Sequence, residues 1–163
     1  MAITFGKPNK NDLDKIMNIE HSGFSEAEAA TANSMLERIK VIPDTFIVAY
    51  DEQEDPAGYI VGPASTERYI TDNLFETSVP NSVHAPYQTI LSLVVSPDKQ
   101  KMGIASQLLQ QLAIVAEQQG RQLITLTCLE KLVPFYERNG YQVDGISNSQ
   151  HAGETWYNMM KKL

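Results

Sequence analysis

The sequence contains one cysteine, one tryptophan and three histidines in 163 residues. A lone thiol, Cys128, excludes an internal disulfide. His21, His84 and His151 are scattered without the spacing of a ligand set, so no metal is expected. Basic residues are scarce as well: 13 Lys and Arg against 20 Asp and Glu leave a net charge of −7. A nucleic-acid partner would need a basic face to neutralise phosphates, so none is expected, whereas a cationic small molecule is allowed. No apolar run approaches the roughly 18 residues of a membrane helix. The opening Met1-Ala2-Ile3-Thr4-Phe5 has neither the basic nor the apolar segment of a secretion signal. These absences predict no membrane partner and a cytoplasmic location. Internal repeats, low-complexity tracts and long linkers are lacking too. Residues 1–163 therefore read as a single domain of ordinary globular composition, 42% hydrophobic.

What is present centres on residues 91–109. Leu91-Ser92-Leu93-Val94-Val95 predicts a strand buried on both faces, ended by Pro97, which has no N–H for a ladder. A polar turn leads to Gly103. From Ile104 the apolar residues fall at Leu108, Leu109, Leu112, Val115 and Ala116, one face of a helix. The first N–H groups of such a helix lack internal partners and sit at the positive end of its dipole. Gly103 and Ala105 leave no bulk there, so a phosphate can approach the backbone, with Lys101 and the Gln100 amide beside it. The patterns of a P-loop and of a dinucleotide-binding turn are both missing.

The remaining chain reads as follows. Residues 2–6 predict a strand. Asn11-Asp12 predicts the cap of a first helix carrying Leu13, Ile16, Met17 and Ile19, broken at His21-Ser22-Gly23. Ser25 to Glu28 has capping-box spacing and predicts a second helix running to about Lys40. Thr45 to Tyr50 and Pro56 to Val61 predict a hairpin. The segment 62–87 is long for a plain loop, and a helix is expected over Thr66 to Phe75 with Tyr69, Ile70, Leu74 and Phe75 inward. Leu123 to Cys128 predicts another buried strand, Glu130 to Arg138 a short helix, Tyr141 to Val143 a strand, Gly145 to Gly153 a hairpin turn, and Thr155 to Met160 the last strand. The order predicts an α/β (α+β) architecture: a mixed, mostly antiparallel central sheet with helices on both faces.

Two stretches carry a resemblance. Gln100-Lys101-Met102-Gly103-Ile104-Ala105 resembles the Q/R-x-x-G-x-G/A signature of the GCN5-related N-acetyltransferase (GNAT) superfamily. Phe135-Tyr136 followed by Gly140-Tyr141 resembles that superfamily's A-x-x-F-Y-x-x-x-G-F helix. The two occur in the expected order, and the element order extends the likeness over almost the whole chain. Cys128-Leu129-Glu130-Lys131-Leu132-Val133-Pro134-Phe135-Tyr136 is closer still to the arylalkylamine N-acetyltransferase branch, as are Ser92 to Val95 and Ile19-Glu20 followed by Phe24. That branch carries two histidines as proton relays just before its strand; the aligned positions here are Thr89 and Leu91, which cannot accept a proton at neutral pH.

The resemblance implies direct acetyl transfer from acetyl-CoA to a primary amine, arylalkylamine- or polyamine-like. It implies that Gln100, Lys101, Met102, Gly103, Ile104, Ala105 and Ser106 cradle the pyrophosphate, and that Leu93, Val94 and Val95 receive the pantetheine arm, with N–H groups near Val95 facing the developing oxyanion. Tyr136 is the expected proton donor to the departing thiolate. An alkylamine is mostly protonated at pH 7, its pKa being roughly 10, so the site must remove a proton. Glu20 is the candidate ammonium partner or water-mediated base, with His84 an alternative. Phe24, Ser25, Tyr59 and Val61 are the implied acceptor-pocket residues. Cys128 reads as an inert thiol. Two other readings stand beside this one: an acyl-CoA sensor without catalysis, and a transferase acting on protein or peptide amines. An edge strand near the C-terminus would allow a homodimer.

Overall fold

The computed structural model describes residues 2–149 and 151–163. Gln150, inside the expected hairpin turn, lies outside the described residues. The chain runs β1 (Thr4–Gly6), α1 (Leu13–Gly23), α2 (Ala32–Val41), β2 (Phe46–Tyr50), β3 (Pro56–Val61), β4 (Ala64–Ser65), α3 (Asn73–Glu76), β5 (Tyr87–Ile90), β6 (Ser92–Val95), α4 (Ile104–Gln118), β7 (Leu123–Cys128), α5 (Val133–Arg138), β8 (Gln142–Ile146) and β9 (Tyr157–Lys162). The α/β architecture is as expected, but the strands form two sheets rather than one. Their orders are β1-β2-β3-β6 and β4-β5-β7-β9-β8. All pairings are antiparallel except β5 with β7.

The two sheets meet in one extended segment. β5 and β6 are separated only by Leu91, yet β5 pairs with β7 and β6 with β3. The strand expected over residues 91–95 is thus the second half of a longer run that changes sheets. Backbone bonds from Leu91 N–H to the Val61 carbonyl (2.8 Å) and from Thr89 N–H to the Pro63 carbonyl (3.0 Å) fasten the crossing point. Gly62 lies directly beneath it: a Cβ at this position would stand 2.0 Å from the Thr89 carbonyl oxygen. Only a residue without a side chain lets the two backbones approach so closely.

Strand alternation then builds two cores. Ile47, Ala49 and Ile60 face α4, joining Ile104, Leu108, Leu109 and Leu112. Phe46, Val48, Tyr59, Val61 and Val94 face α1 and α2, joining Ile16, Ile19, Met35 and Ile39. The first sheet is therefore sandwiched between helices. Each fully buried aliphatic side chain contributes about 1.5–3 kcal/mol of transfer free energy, which anchors α4 and the turn at its N-terminus.

Three helical expectations change. Ser25 does not start a long helix: its hydroxyl donates to Glu28 Oε1 (2.8 Å), and Ala29 N–H to the Ser25 carbonyl (2.8 Å) closes one turn only. α2 begins at Ala32, with Thr31 Oγ1 accepting from Ser34 N–H (3.1 Å). The first helix is capped earlier than expected, by Asn9 ahead of a single 3₁₀ turn. The helix expected over residues 66–75 is reduced to α3. Its carbonyls find partners on α2 instead, from the Arg38 guanidinium to Phe75 and from the Ser34 hydroxyl to Glu76. With the backbone satisfied from outside, the segment gains nothing by coiling. Among the described residues, no helix is long and apolar enough to cross a membrane.

Candidate active site

Among the described residues, β6 pairs on one side only, with β3. Ser96 N–H bonds the Ala57 carbonyl (2.8 Å). With Gly58 opposite Val95 and Tyr59 opposite Val94, this places Ser96, Val94 and Ser92 in the positions whose peptide groups address β3. The peptide groups of Leu93 and Val95 accordingly point the other way, toward β7, which is occupied by β5 and β9 and does not reach them. The sheets part here. Val94, grouped with Leu93 and Val95 in the sequence, has its peptide committed to β3 and its side chain packed in the α1–α2 core.

The parting opens two continuous spaces. A groove of about 380 Å³ runs from Leu93 and Val95 past Gln100, Lys101, Gly103, Ile104, Ala105 and Ser106 to Phe135 and Tyr136. A cavity of about 260 Å³ adjoins it, and the two share Leu93, Val95, Gln100, Leu132 and Tyr136. The turn before α4 is shaped for an anion. Lys101 (φ 66°) and Gly103 (φ 78°) are both left-handed, and no side chain caps the helix N-terminus. Nothing stands within 4 Å of where a Gly103 Cβ would be. Free N–H groups therefore face the groove at the positive end of the α4 dipole. Gln100 Nε2 donates to the Val95 carbonyl (3.2 Å), linking turn to strand. Met102 is exposed and lies off the groove wall.

Tyr136, on α5, lines both spaces. Its ring is held edge-on between Phe135 and Tyr141, at centroid distances of 5.2 and 5.7 Å. Burial, then the neighbouring Cys128, push its phenol well above the ordinary value of 10.0. It therefore stays protonated through the physiological range. Cys128 also lines the cavity, and burial pushes its thiol up to about 11. A thiol held that far from ionisation is a poor nucleophile. Iodoacetamide at pH 7.5 should leave native Cys128 unlabelled over a period in which the urea-unfolded chain reacts fully, and Cys128→Ala should retain activity. Rapid native labelling would refute the inert assignment.

Glu20 is buried, not a solvated helix carboxylate. Its Oε2 accepts from Ala30 N–H (2.8 Å) and from the Ser92 hydroxyl at a long 3.4 Å, while Oε1 accepts from the Tyr59 hydroxyl. It nonetheless reaches the cavity wall, as do Phe24 and Glu28. The other implied acceptor residues do not. Tyr59 and Val61 are fully buried on the α1–α2 side, because β3 alternation turns them away from the cleft. Ser25 is exposed and bonded to Glu28. His84 is exposed and lies off the walls of both spaces. Thr89 is buried and donates to the Pro63 carbonyl (2.6 Å); Leu91 is a wall residue. Phe75, Ser149 and Trp156 complete the cavity from segments distant in sequence. Single aromatics scattered so far apart along the chain carry no local signal of this role. Among the described residues no cluster of potential metal ligands occurs.

A strand with an unpaired edge, a bare helix N-terminus and a buried tyrosine thus meet at one junction. The acetyltransferase (GNAT) domain family matches residues 17–163, and the chain belongs to it. The family match makes it an acetyl-CoA-dependent acetyltransferase of the GNAT type. Among solved structures, Ard1 from Thermoplasma volcanium superposes with a TM-score of 0.80 at 18% identity, over 100% of this chain and 99% of that one. Naa20 from Chaetomium thermophilum, solved with a bisubstrate analogue, gives 0.72 at 23% identity over 98% and 86%. Naa50 from Arabidopsis thaliana, solved with the bisubstrate analogue CoA-Ac-MVNAL, gives 0.76 at 14% identity over 100% of both chains. At these identities the likeness is one of fold. No curated protein matches the sequence significantly.

Proposed function

We propose that this chain, as one transferase domain over residues 1–163, acetylates the primary amine of a small molecule with an apolar body of the arylalkylamine kind. The observation that carries this is the cavity beside Tyr136. Besides Tyr136, its walls combine three aromatic residues, Phe24, Phe75 and Trp156, with two carboxylates, Glu20 and Glu28. At about 260 Å³ it suits a compact ligand. Aromatic faces hold an apolar ring and carboxylates attract an ammonium.

In this reading acetyl-CoA is a substrate that lies along the groove. The Gln100–Ser106 turn bonds its pyrophosphate, Lys101 supplies charge, and the outward peptide groups of Leu93 and Val95 bond the pantetheine arm as a strand would. Glu20 attracts the ammonium and takes its proton through water. The freed amine forms the new C–N bond as the C–S bond breaks, the Tyr136 phenol gives its proton to the departing sulfur, and the proton shed by the acylated nitrogen passes through water to restore the phenol.

The pH profile follows from the phenol. Tyr136 acts in its protonated form, and its raised pKa means that this form is lost only above 10.0, the ordinary phenol value. Deprotonation of an alkylamine, with a pKa of roughly 10, should make kcat/KM climb with pH. The expected profile rises from pH 7 to 9.5 without a descending limb. A fall within that range would place the acid elsewhere.

Release of free CoA thiol tests the reading. Arylalkylamines, polyamines, amino acids and short peptides are compared against a control without amine. Release dependent on an arylalkylamine is expected. Release only with peptides would replace the small acceptor by a polypeptide, and binding without release in any arm would favour a sensor.

A further inference from the structure

Two walls of the acceptor cavity are not held by either sheet. Phe24 and Glu28 sit on the connection between α1 and α2, and Phe75 sits on α3 within the long 62–87 segment. The links that hold them are polar and buried. Glu20, 1% exposed, holds the α1–α2 connection through Ala30 N–H. Arg38, also 1% exposed, donates from Nη2 to the Phe75 carbonyl (3.0 Å). Its Nε and Nη1 have no hydrogen-bond partner among the described residues. Burial lowers its pKa, and the charge of Glu20, then Tyr59 and Glu37, opposes that. A guanidinium so deeply desolvated and so sparingly bonded is poor value as a stabilising group. Its one hydrogen bond, however, falls on the backbone of a cavity residue.

Two neighbours on the same helix face bond the backbone just beyond Phe75, at residues outside the cavity wall. Ser34 donates to the Glu76 carbonyl (3.1 Å), and Glu37 Oε1 accepts from Ser78 N–H. Positions 34, 37 and 38 stand three and four residues apart, so one stripe of α2 grips three successive sites of the 75–78 backbone. We infer that Arg38 is a positioning residue for the acceptor cavity, setting the Phe75 wall against the Glu20 wall through its bond to the Phe75 carbonyl. This deepens the small-amine reading and rests on it: the acceptor's fit depends on a helix that touches no substrate.

The test compares Arg38→Met, which removes charge and donor, with Arg38→Lys, which keeps a charge and can remake the single bond. The acceptor KM of Arg38→Met should rise about tenfold, with the acetyl-CoA KM within about twofold, and Arg38→Lys should recover to within about threefold of the unaltered chain. Trp156, the only tryptophan, lines the same cavity and supplies a readout that needs no acceptor. Its emission should move to the red in Arg38→Met and return in Arg38→Lys. If Arg38→Met fails to fold, Ser34→Ala with Glu37→Met loosens the same segment while leaving the buried Arg38 charge in place, and should raise the acceptor KM in the same direction. An unchanged acceptor KM and emission, a parallel rise in both KM values, or a lysine variant no better than methionine overturns the inference. A wrong acceptor class shows differently: the unaltered chain fails to turn over small amines while the emission shift persists.

Discussion

Tyr136→Phe should lower kcat by about two to three orders of magnitude while leaving acetyl-CoA affinity within about twofold. The substitution removes one oxygen and keeps the ring, so the edge-on contacts with Phe135 and Tyr141 persist. What is lost is the proton for the leaving sulfur. The thiolate of CoA, with a pKa of roughly 8.5, can depart without it, which is why some turnover should survive. Because Tyr136 stands where groove and cavity meet, the loss should appear in kcat rather than in either binding step. Calorimetric binding of acetyl-CoA beside steady-state turnover separates the two. Undiminished turnover would end the assignment, and a matching loss of affinity would make Tyr136 a binding residue.

Gly62→Ala should destabilise the fold by about 3–5 kcal/mol, a size reserved for changes that the structure cannot absorb. The added methyl would stand 2.0 Å from the Thr89 carbonyl oxygen and 2.5 Å from its carbon. Both are backbone atoms at the point where the chain passes between sheets, so no rotamer change relieves the contact. The Gly62 carbonyl also accepts from the buried Gln88 Nε2 (2.8 Å), and displacing it would leave that amide only its bond to the Thr89 carbonyl (2.9 Å). Urea unfolding followed by circular dichroism measures the change. A loss below about 1 kcal/mol would mean that the crossing point is looser than described. Because the crossing sets the separation of β6 from β7, folded mutant protein should also bind acetyl-CoA less tightly.

These two positions differ in how far the sequence reveals them. The place of Tyr136 was legible because Phe135-Tyr136 and Gly140-Tyr141 form a short local pattern that resembles the family's helix, and the structure sets it on α5 lining groove and cavity. The helix at Gly103 was legible for the same reason, since glycine, apolar period and closing Gly120 all lie within one stretch. β3 and β7 match their expected bounds because their apolar runs end at local turn signals. Gly62 carried no such mark. Its role depends on Thr89 lying above it, and the run from Tyr87 to Val95 is continuously strand-like although it serves two sheets. Choice of partner strand is a non-local matter that no periodicity encodes. The same limit misplaced Tyr59 and Val61. Alternation puts them on one face together, but which face meets the cleft depends on where α1, α2 and α4 settle. Glu20 was found as a carboxylate near the site, while its burial depended on Tyr59 and Ala30 arriving from elsewhere.

Competition for one acetyl group puts the central claim to its most direct test. Acetyl-CoA is supplied with an equimolar mixture of an arylalkylamine and a peptide bearing a free N-terminus and a lysine, and acetylated products are resolved by mass spectrometry. The cavity beside Tyr136, walled by Phe24, Phe75 and Trp156, requires the acetylated arylalkylamine to accumulate first and in excess. Acetyl groups found on the peptide, with the amine untouched, would contradict it.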